Sequence, residues 1–397
     1  MNTRVVIFFP SVESGGLERA MVRITAALAD CGFEIEVHCA RCNAEIAALF
    51  DPRVTLVRAR NRFAASGGRT RTAFALLPGF VLDLIRRRPD CILTVQSSVL
   101  CIPIAALFGI PVIHRESSNS RTALSQQGAS WKRRIIRTVV LKAKGWVYRA
   151  CAFVVANSSG AAESARVLTG LPPDRVRVVH NPVDPEGLRA QAAQPVMGIG
   201  EDAGLQEFLE TCDPIIAYVG RLSWEKDVAT LVRGFARALQ LRPDFSARLL
   251  VVGEGRDRAT LIALAASLGI AHAVRFYGHA SNPYVLLKHV QAFALTSRFE
   301  GLPNALLEAV ALGVPSVSTD CPTGPREILL DGRGGWLVPV GDAEGLAVAI
   351  AEMLGDPEEA RRRAAVAGGA LARFHPEAIG RQYAGIILQS MQPGVNP

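Results

Sequence analysis

The chain has 397 residues, enough for two domains that each bury a core of their own. With 49% hydrophobic and 20% charged residues it is neither a disordered nor a fibrous polypeptide, and it fits a soluble globular enzyme or binding protein. The net charge of +8 is unevenly placed: residues 1–190 hold 26 Lys/Arg against 14 Asp/Glu, residues 191–397 hold 18 against 22.

The opening MNTRVVIFFP is too short in its apolar core for a signal peptide. The longest apolar run, Val99 to Ile113, is 15 residues and carries Pro103 and Pro111, so it is a poor membrane span. The expected location is the cytoplasm, with peripheral contact to the inner face of the cytoplasmic membrane left open. Cysteines 31, 39, 42, 91, 101, 151, 212 and 321 lie scattered in apolar segments, as reduced thiols packed like small hydrophobes do. Cys39-Ala-Arg-Cys42 is a lone CxxC with no second pair to complete a zinc site.

In chain order, the first half alternates short β-rich runs with helical patterns. RVVIFF, FEIEVHC, VTLV, CILTV, PVIH, AFVVA and VRVVH read as strands, and GLERAMVRITAALAD, closed by Gly32, as the first helix between them. Such alternation predicts parallel βαβ units and a doubly wound sheet. Arg121 to Ala150 is free of acids and sets eight Lys/Arg among Trp131, Trp146, Tyr148 and branched aliphatics. This pattern suits an anionic membrane surface, and it suits equally a helix packed on its own domain with a solvated basic face. No nucleic-acid-binding module is recognisable, so no such partner is expected.

Residues 184–213 have the Pro/Gly composition of a linker, which sets a boundary near residue 190. PIIAYVG, ARLLVVG, AVRFYG, QAFALTS and PSVST then repeat the strand and helix alternation up to about residue 372. Helical patterns alone follow, the last over about 376–389. The predicted domains are 1–190, 191–372 and a C-terminal helical segment, 373–397.

Three loops at strand ends have the composition of phosphate or sugar sites. Ser14-Gly15-Gly16-Leu17-Glu18 opens a helix, where glycine amides and the helix dipole favour an anion; a simple structural turn explains it too. Gly220-Arg221-Leu222-Ser223-Trp224-Glu225-Lys226 offers a guanidinium fork and an ammonium for a diphosphate, or else an internal contact between Glu225 and Lys226. In SRFEGLPNALLEAVALGVP, Pro303 fits the first position of a helix whose amides at Asn304 and Ala305 would cradle an anion. Glu308 follows one turn later on the face of Asn304, and Glu300 precedes the turn. The two acids then suit hydroxyl hydrogen bonds on either side of a diphosphate. Helix-dipole and core-pairing roles for them remain open alternatives.

Glu300-x7-Glu308 inside SRFEGLPNALLEAVALGVPSVSTDCPTGPREIL, with GRLSWEK at 220–226, HNPVD at 180–184 and GGLERA at 15–20, resembles the GT4 family of retaining glycosyltransferases. The resemblance runs over nearly the whole chain. It implies a GT-B α/β fold, two Rossmann-like doubly wound domains facing a central cleft, with the final helix crossing back to the first. It also implies that Arg221 and Lys226 bind the diphosphate of a UDP- or GDP-linked sugar, that Glu308 accepts from the ribose and that Glu300 contacts the transferred sugar. Gly15 and Gly16 would close over the phosphates. His114, at the end of PVIH, matches the position of a family histidine near the donor sugar.

No Asp-x-Asp occurs, so neither a metal nor another cofactor is expected, and cations replace the metal clamp. The implied reaction moves a hexose or N-acetylhexosamine to a glycan, with the basic first half pointing to a lipid-linked or surface polysaccharide intermediate. An epimerase or phosphorylase of the same fold, and a non-catalytic sugar-nucleotide sensor, are the alternatives.

Overall fold

A computed structural model describes residues 3–13, 15–59, 69–95, 98–117, 131–195, 203–210, 213–243 and 246–394. The chain divides into two compact units, Met1–Pro182 with Arg373–Pro397, and Val183–Ala372. The first crossing thus falls inside the HNPVD motif. Among the described residues no helix is long and apolar enough to cross a membrane.

Unit 1 carries a seven-stranded parallel sheet. Its strands are β1 (Arg4–Phe8), β3 (Glu34–Cys39), β5 (Thr55–Arg58), β6 (Cys91–Val95), β7 (Val112–Glu116), β8 (Phe153–Ala156) and β9 (Val176–Val178). Their spatial order is β5-β3-β1-β6-β7-β8-β9, and β2 (Ser11–Val12) pairs separately with β4 (Arg41–Cys42). Strand alternation explains the two cores. In β1, Val5 and Ile7 point into one cluster with Met21, Ile24 and Leu28 of α1 (Gly16–Asp30) and with Ile379, Tyr383 and Ile387 of the C-terminal helix (Pro376–Ser390). Val6 and Phe8 point to the other face. There they meet α3 (Arg69–Arg86), α4 (Cys101–Leu107), α5 (Trp131–Tyr148) and α6 (Ser159–Thr169), while α2 is the short helix Ala44–Ala47. A side chain at Gly380 would stand 2.8 Å from the Ala27 carbonyl, so α1 and the last helix touch backbone to backbone. Of the predicted basic stretch, residues 121–130 lie outside the described residues.

Unit 2 opens with α7 (Pro185–Ala192) and α8 (Ala203–Leu209), where linker composition predicts irregular chain. The prolines mislead because Pro185 occupies the first helical turn, where its missing N–H costs nothing, and Asp184 caps the helix by accepting from the Glu186 amide at 3.1 Å. Asn282 donates to the Gln191 carbonyl at 2.9 Å and ties α7 to this unit. The six-stranded parallel sheet comprises β10 (Ile215–Val219), β11 (Arg248–Val252), β12 (Val274–Gly278), β13 (Ala292–Leu295), β14 (Ser316–Thr319) and β15 (Trp336–Val338), in the order β12-β11-β10-β13-β14-β15. Around it run α9 (Val228–Leu241), α10 (Arg258–Ser267), α11 (Tyr284–Leu287), α12 (Asn304–Ala311), α13 (Pro325–Ile328), α14 (Ala343–Gly355) and α15 (Pro357–Gly369); the C-terminal helix of unit 1 is α16. Both sheets reverse strand order once, between β1 and β6 and between β10 and β13. Ligands of such sheets bind outside the carboxyl ends at that switch.

Candidate functional site

The switch point of unit 2 is flanked by the loops after β10 and β13, and these carry Lys226 and Glu300. The first loop is fixed by close backbone packing. Tyr218, buried in β10, donates from its hydroxyl to the Arg221 carbonyl at 2.9 Å, and Leu222 donates its N–H to the Glu254 carbonyl at 2.9 Å while its carbonyl accepts from the Asp257 N–H at 3.2 Å. Gly253 (φ +139°) lies so near that a Cβ there would stand 1.9 Å from the Gly220 carbonyl oxygen, a place only glycine fits. The loop ends at Asp227, a non-glycine residue held left-handed (φ 46°, ψ 44°) at the head of α9. Arg298 pairs with its carboxylate at 2.9 Å and Thr230 donates to it at 3.0 Å. Such strain persists where surroundings over-determine it, often at functional sites.

The loop after β13 completes the cluster. Its backbone holds the first loop through Arg298 N–H to Glu225 carbonyl at 2.9 Å, and the Thr296 hydroxyl donates to the Lys226 carbonyl at 3.2 Å. Lys226 Nζ then meets Glu300 Oε1 at 2.5 Å, and the Ser297 hydroxyl donates to the same oxygen at 2.6 Å. The Thr323 hydroxyl donates to the Glu300 carbonyl. The Glu300 side chain is only 10% exposed, so this is a charge pair largely withdrawn from water, with Lys226 at 20% on the wetter side. Burial, with the Glu300 charge acting in the same direction, pushes the nearby Cys321 thiol up to about 12. Gly324 (φ +93°) lets the following turn close on this loop, since a Cβ would lie 2.6 Å from Pro303 Cδ and 2.8 Å from the Gly301 carbonyl oxygen.

The other predicted residues fall as follows. Arg221 is exposed and its guanidinium stands 3.5 Å from Glu225 Oε1, while Arg256 reaches the same carboxylate at 4.0 Å. The predicted contact of Glu225 with Lys226 is therefore replaced by pairings with Arg221 and Arg256. Pro303 is the N-cap of α12 rather than its first helical residue, because its ψ of 106° is extended, so Asn304 opens the helix. Leu307 N–H to Pro303 carbonyl, 3.1 Å, is the first helical bond. Ala305 lies in this first turn, and Glu308 is buried one turn in, beside the apolar Leu306, Leu307 and Val310. Ser297, Thr323, Asp227 and Arg298 were not singled out by sequence reasoning. A serine three residues before an acid is too common a pattern to mark a site, and a left-handed Asp has no spacing signature.

In unit 1, Ser14 lies outside the described residues. Gly15 is the N-cap of α1 in extended geometry, and an ideal Cβ on it would stand 2.6 Å from Glu18 Oε2. The head of α1 therefore already faces a buried carboxylate of its own. Gly16 is the first helical residue.

His114 does not end its strand: β7 runs two residues further, with Thr94 opposite His114 and Val95 opposite Arg115. The imidazole is fully buried, Nδ1 lies 2.7 Å from the Thr94 hydroxyl, and the ring stands 4.0 Å from that of Tyr148. Loss of hydration drives its pKa down to about 3, so it is neutral at ordinary pH. Beyond it, Arg115 is fully buried, donating to the Tyr383 hydroxyl at 2.9 Å and to Asn181 Oδ1 at 2.5 Å, and Glu116 accepts from Lys144 at 2.8 Å.

Glu36, His38 and Asp83 bring three metal-ligating side chains within 4.8 Å of one another. Their carboxylates are taken up by Arg4, at 3.0 and 2.7 Å to Glu36 and 2.8 Å to Asp83, so a guanidinium supplies the positive charge there. Cys39 and Cys42 are free thiols, as are the other described cysteines.

Two family models match in tandem: "Glycosyltransferase Family 4" over residues 14–186 and "Glycosyl transferases group 1" over residues 206–368. The chain is 30% identical, over 53% of its own length and 53% of the relative's, to the N-acetylgalactosamine-N,N'-diacetylbacillosaminyl-diphospho-undecaprenol 4-alpha-N-acetylgalactosaminyltransferase of Campylobacter jejuni. It is 38% identical to the lipopolysaccharide 1,6-galactosyltransferase of Salmonella typhimurium, over 32% of this chain and 36% of that one. The chain spans 36 to 60% of the length of these and a further curated relative. The crystal structure of Anabaena HepE in complex with UDP-glucose superposes with a TM-score of 0.77 at 18% identity, covering 98% of this chain and all of that one. That likeness establishes the GT-B fold class, with two Rossmann-like parallel sheets of seven and six strands.

Proposed function

The chain belongs to the GT4 family of glycosyltransferases, and from that premise we propose that it moves a hexose or N-acetylhexosamine from a nucleoside-diphosphate sugar to a lipid-linked or surface polysaccharide intermediate, with retention of configuration. The observation that carries the reading is the pairing of Lys226 with Glu300 across the switch point of the unit 2 sheet, beside the head of α12. An ammonium and a carboxylate side by side suit a ligand that presents phosphate next to sugar hydroxyls.

In the proposed complex Lys226 turns to the diphosphate and Arg221, already exposed, joins it. The first-turn amides of α12 at Asn304 and Ala305 face the phosphates, Glu300 accepts from a hydroxyl of the transferred sugar, and Glu308 accepts from the ribose. As the bond from the anomeric carbon to the phosphate oxygen breaks, negative charge grows on the leaving diphosphate, where fixed cations and amides stabilise it. The acceptor hydroxyl bonds to the same face of the anomeric carbon and its proton passes to the departing phosphate oxygen. Lys226 and Arg221 take the electrostatic part a metal clamp would play. The undecaprenol and lipopolysaccharide after which these two relatives are named support a membrane-held acceptor.

The test is a panel of UDP-, GDP- and ADP-sugars with the purified protein, measuring nucleoside diphosphate release with and without membrane extract and with and without chelator. Release from one donor, raised by extract and unchanged by chelator, is the expected result. No release from any donor overturns the transferase reading, and loss of activity with chelator overturns the metal-free one.

A further inference from the structure

The Cys39-Ala40-Arg41-Cys42 segment has no part in the transferase reading, yet the fold brings its two thiols together. β3 ends on Cys39 and β4 on Cys42, with a bend at Ala40 between them. A straight strand turns residues three apart to opposite faces. Here the bend returns Cys42 to the side of Cys39: Cys39 is a fully buried member of the core cluster shared with α1, and Cys42, partly exposed, packs against that same cluster. Burial, then the Cys42 thiol beside it, pushes the Cys39 thiol up to about 12, while Arg58, opposite it in β5, acts the other way.

The other described cysteines show what thiols look like without this pairing. Cys91 and Cys321 are buried, and Cys101 and Cys151, which lie near each other, are both sealed from solvent. Cys31 is exposed, but the groups that act on it are Asp30, Arg381 and Glu377. Among the described residues, Cys39 and Cys42 alone set an accessible thiol beside a buried one. That is the arrangement of a cysteine that meets an oxidant and a second that resolves the product.

We propose that Cys39 and Cys42 form a reversible disulfide when the protein meets a hydroperoxide, and that the bond resets the chain leading into the head of α1. The Cys42 thiolate attacks a peroxide oxygen and the O–O bond breaks. Cys42 becomes a sulfenic acid, and the displaced oxygen leaves as water or an alcohol with the thiol proton. The Cys39 thiolate then attacks the Cys42 sulfur, the S–O bond breaks, and hydroxide leaves as water with the Cys39 proton. The two thiols lose two electrons and the peroxide gains them. A dithiol reverses the change by exchange. Because Cys39 holds its proton so firmly, the second step is slow and quickens as pH rises.

The backbone carries the effect onward. β4 pairs with β2, Ser11 opposite Arg41 and Val12 opposite Cys42, and the amides of Ala40, Arg41 and Asn43 donate to the carbonyls of Pro10, Pro10 and Val12 at 2.9, 3.2 and 2.8 Å. Gly15, the N-cap of α1, comes three residues after β2. A disulfide fixes its Cβ atoms about 3.8 Å apart, so closing it moves β4 and, through these bonds, β2. The bond itself is independent of the transferase reading. Its effect on transfer rests on that reading, in which Gly15 and Gly16 close over the phosphates.

The experiment treats the Cys31→Ser chain with hydrogen peroxide, alkylates free thiols after unfolding, digests with trypsin and reads masses. Cys31 is replaced because it shares a tryptic peptide with Cys39, whereas cleavage after Arg41 parts Cys39 from Cys42. The expected product is the two peptides held together, two hydrogens lighter, until dithiothreitol releases them, and formed faster at higher pH. With Cys39→Ser added, dimedone should trap the Cys42 sulfenic acid about tenfold more than when Cys39 is present. Nucleoside diphosphate release should fall several-fold on oxidation, recover with dithiothreitol, and be indifferent to peroxide in Cys42→Ser. Cys42 over-oxidised while Cys39 stays alkylatable, or Cys39 linked to a different cysteine, would overturn the disulfide. Linked peptides with unchanged release would overturn the coupling to α1, and a reduced chain that releases nothing from any donor counts against the transferase reading and leaves the peptide masses to decide the bond.

Discussion

Lys226 and Glu300 answer to each other before any ligand arrives, and this separates their structural from their functional weight. Replacing Lys226 alone leaves a nearly buried carboxylate with the Ser297 hydroxyl donating to it but without its cation, and an unpaired buried charge is costly. Lys226→Met should therefore lower stability by about 1–3 kcal/mol and also depress transfer by about a hundredfold or more. Adding Glu300→Gln removes the stranded charge, so the double variant should regain most of the melting temperature while staying inactive. Activity restored along with stability would take both residues out of the proposed site. His114 gives a second residue-scale prediction, with a definite sign. Its folded pKa, about 3, lies below the ordinary 6.5, so between these values the unfolded chain binds a proton that the folded chain refuses. Stability owed to His114 is present above pH 6.5 and is lost on acidification, by about 1.4 kcal/mol per pH unit within the window. Burial lowers His38 as well, though Asp83 and Glu36 oppose it, so the comparison must be a difference. Urea unfolding of the parent and of His114→Gln between pH 6.5 and 5 should show the steeper loss in the parent; parallel curves would mean that the imidazole is hydrated.

At the scale of elements, the turn from Cys321 to Gly324 shows how a segment without catalytic groups can govern the site. Gly324 at φ +93° sits against Pro303 and the Gly301 carbonyl, and Thr323 bonds the Glu300 carbonyl. Gly324→Ala adds both strain and a clash, so it should cost about 1–3 kcal/mol and weaken nucleoside diphosphate binding measured by calorimetry. Unchanged affinity would show that the loop after β13 is held by its other contacts. The same elements show what sequence patterns could and could not reveal. Strands such as β1 and β6 were legible because they are buried on both faces and so read as largely apolar runs, RVVIF and CILTV. The αβ alternation followed, and with it the loops that hold Arg221, Lys226 and Glu300. Helix α7 was hidden by its prolines, and the end of β7 was hidden because Arg115 and Glu116 look like loop residues while their charges are met inside the fold. Pairing across the switch point was not legible at all: Lys226 and Glu300 are 74 residues apart, and only the parallel register of β10 with β13 brings them together.

For the whole molecule, the consequence of topology is that unit 1 is not a continuous piece of chain. It is built from residues 1–182 and closed by 373–397, and α16 is part of its core rather than an appendage. Phe374, Ile379, Tyr383 and Ile387 are each no more than 1% exposed. Burying a large apolar side chain contributes about 1.5–3 kcal/mol, so these four together rival the 5–15 kcal/mol that holds a typical domain folded. Tyr383 also accepts from the buried Arg115, so losing α16 would leave that guanidinium with Asn181 but without its tyrosine acceptor. Unit 2 draws none of its sheet or its Lys226–Glu300 pair from that segment. Ending the chain after Ala372 should therefore abolish the unit 1 unfolding transition in scanning calorimetry and leave a cooperative transition from unit 2. The milder Tyr383→Phe should keep both transitions and lower only the first, by about 1.5–3 kcal/mol for a lost bond to a charged group. Two intact transitions after truncation would mean that the sheet and α1 suffice for unit 1, and that α16 is held by the domain without holding it.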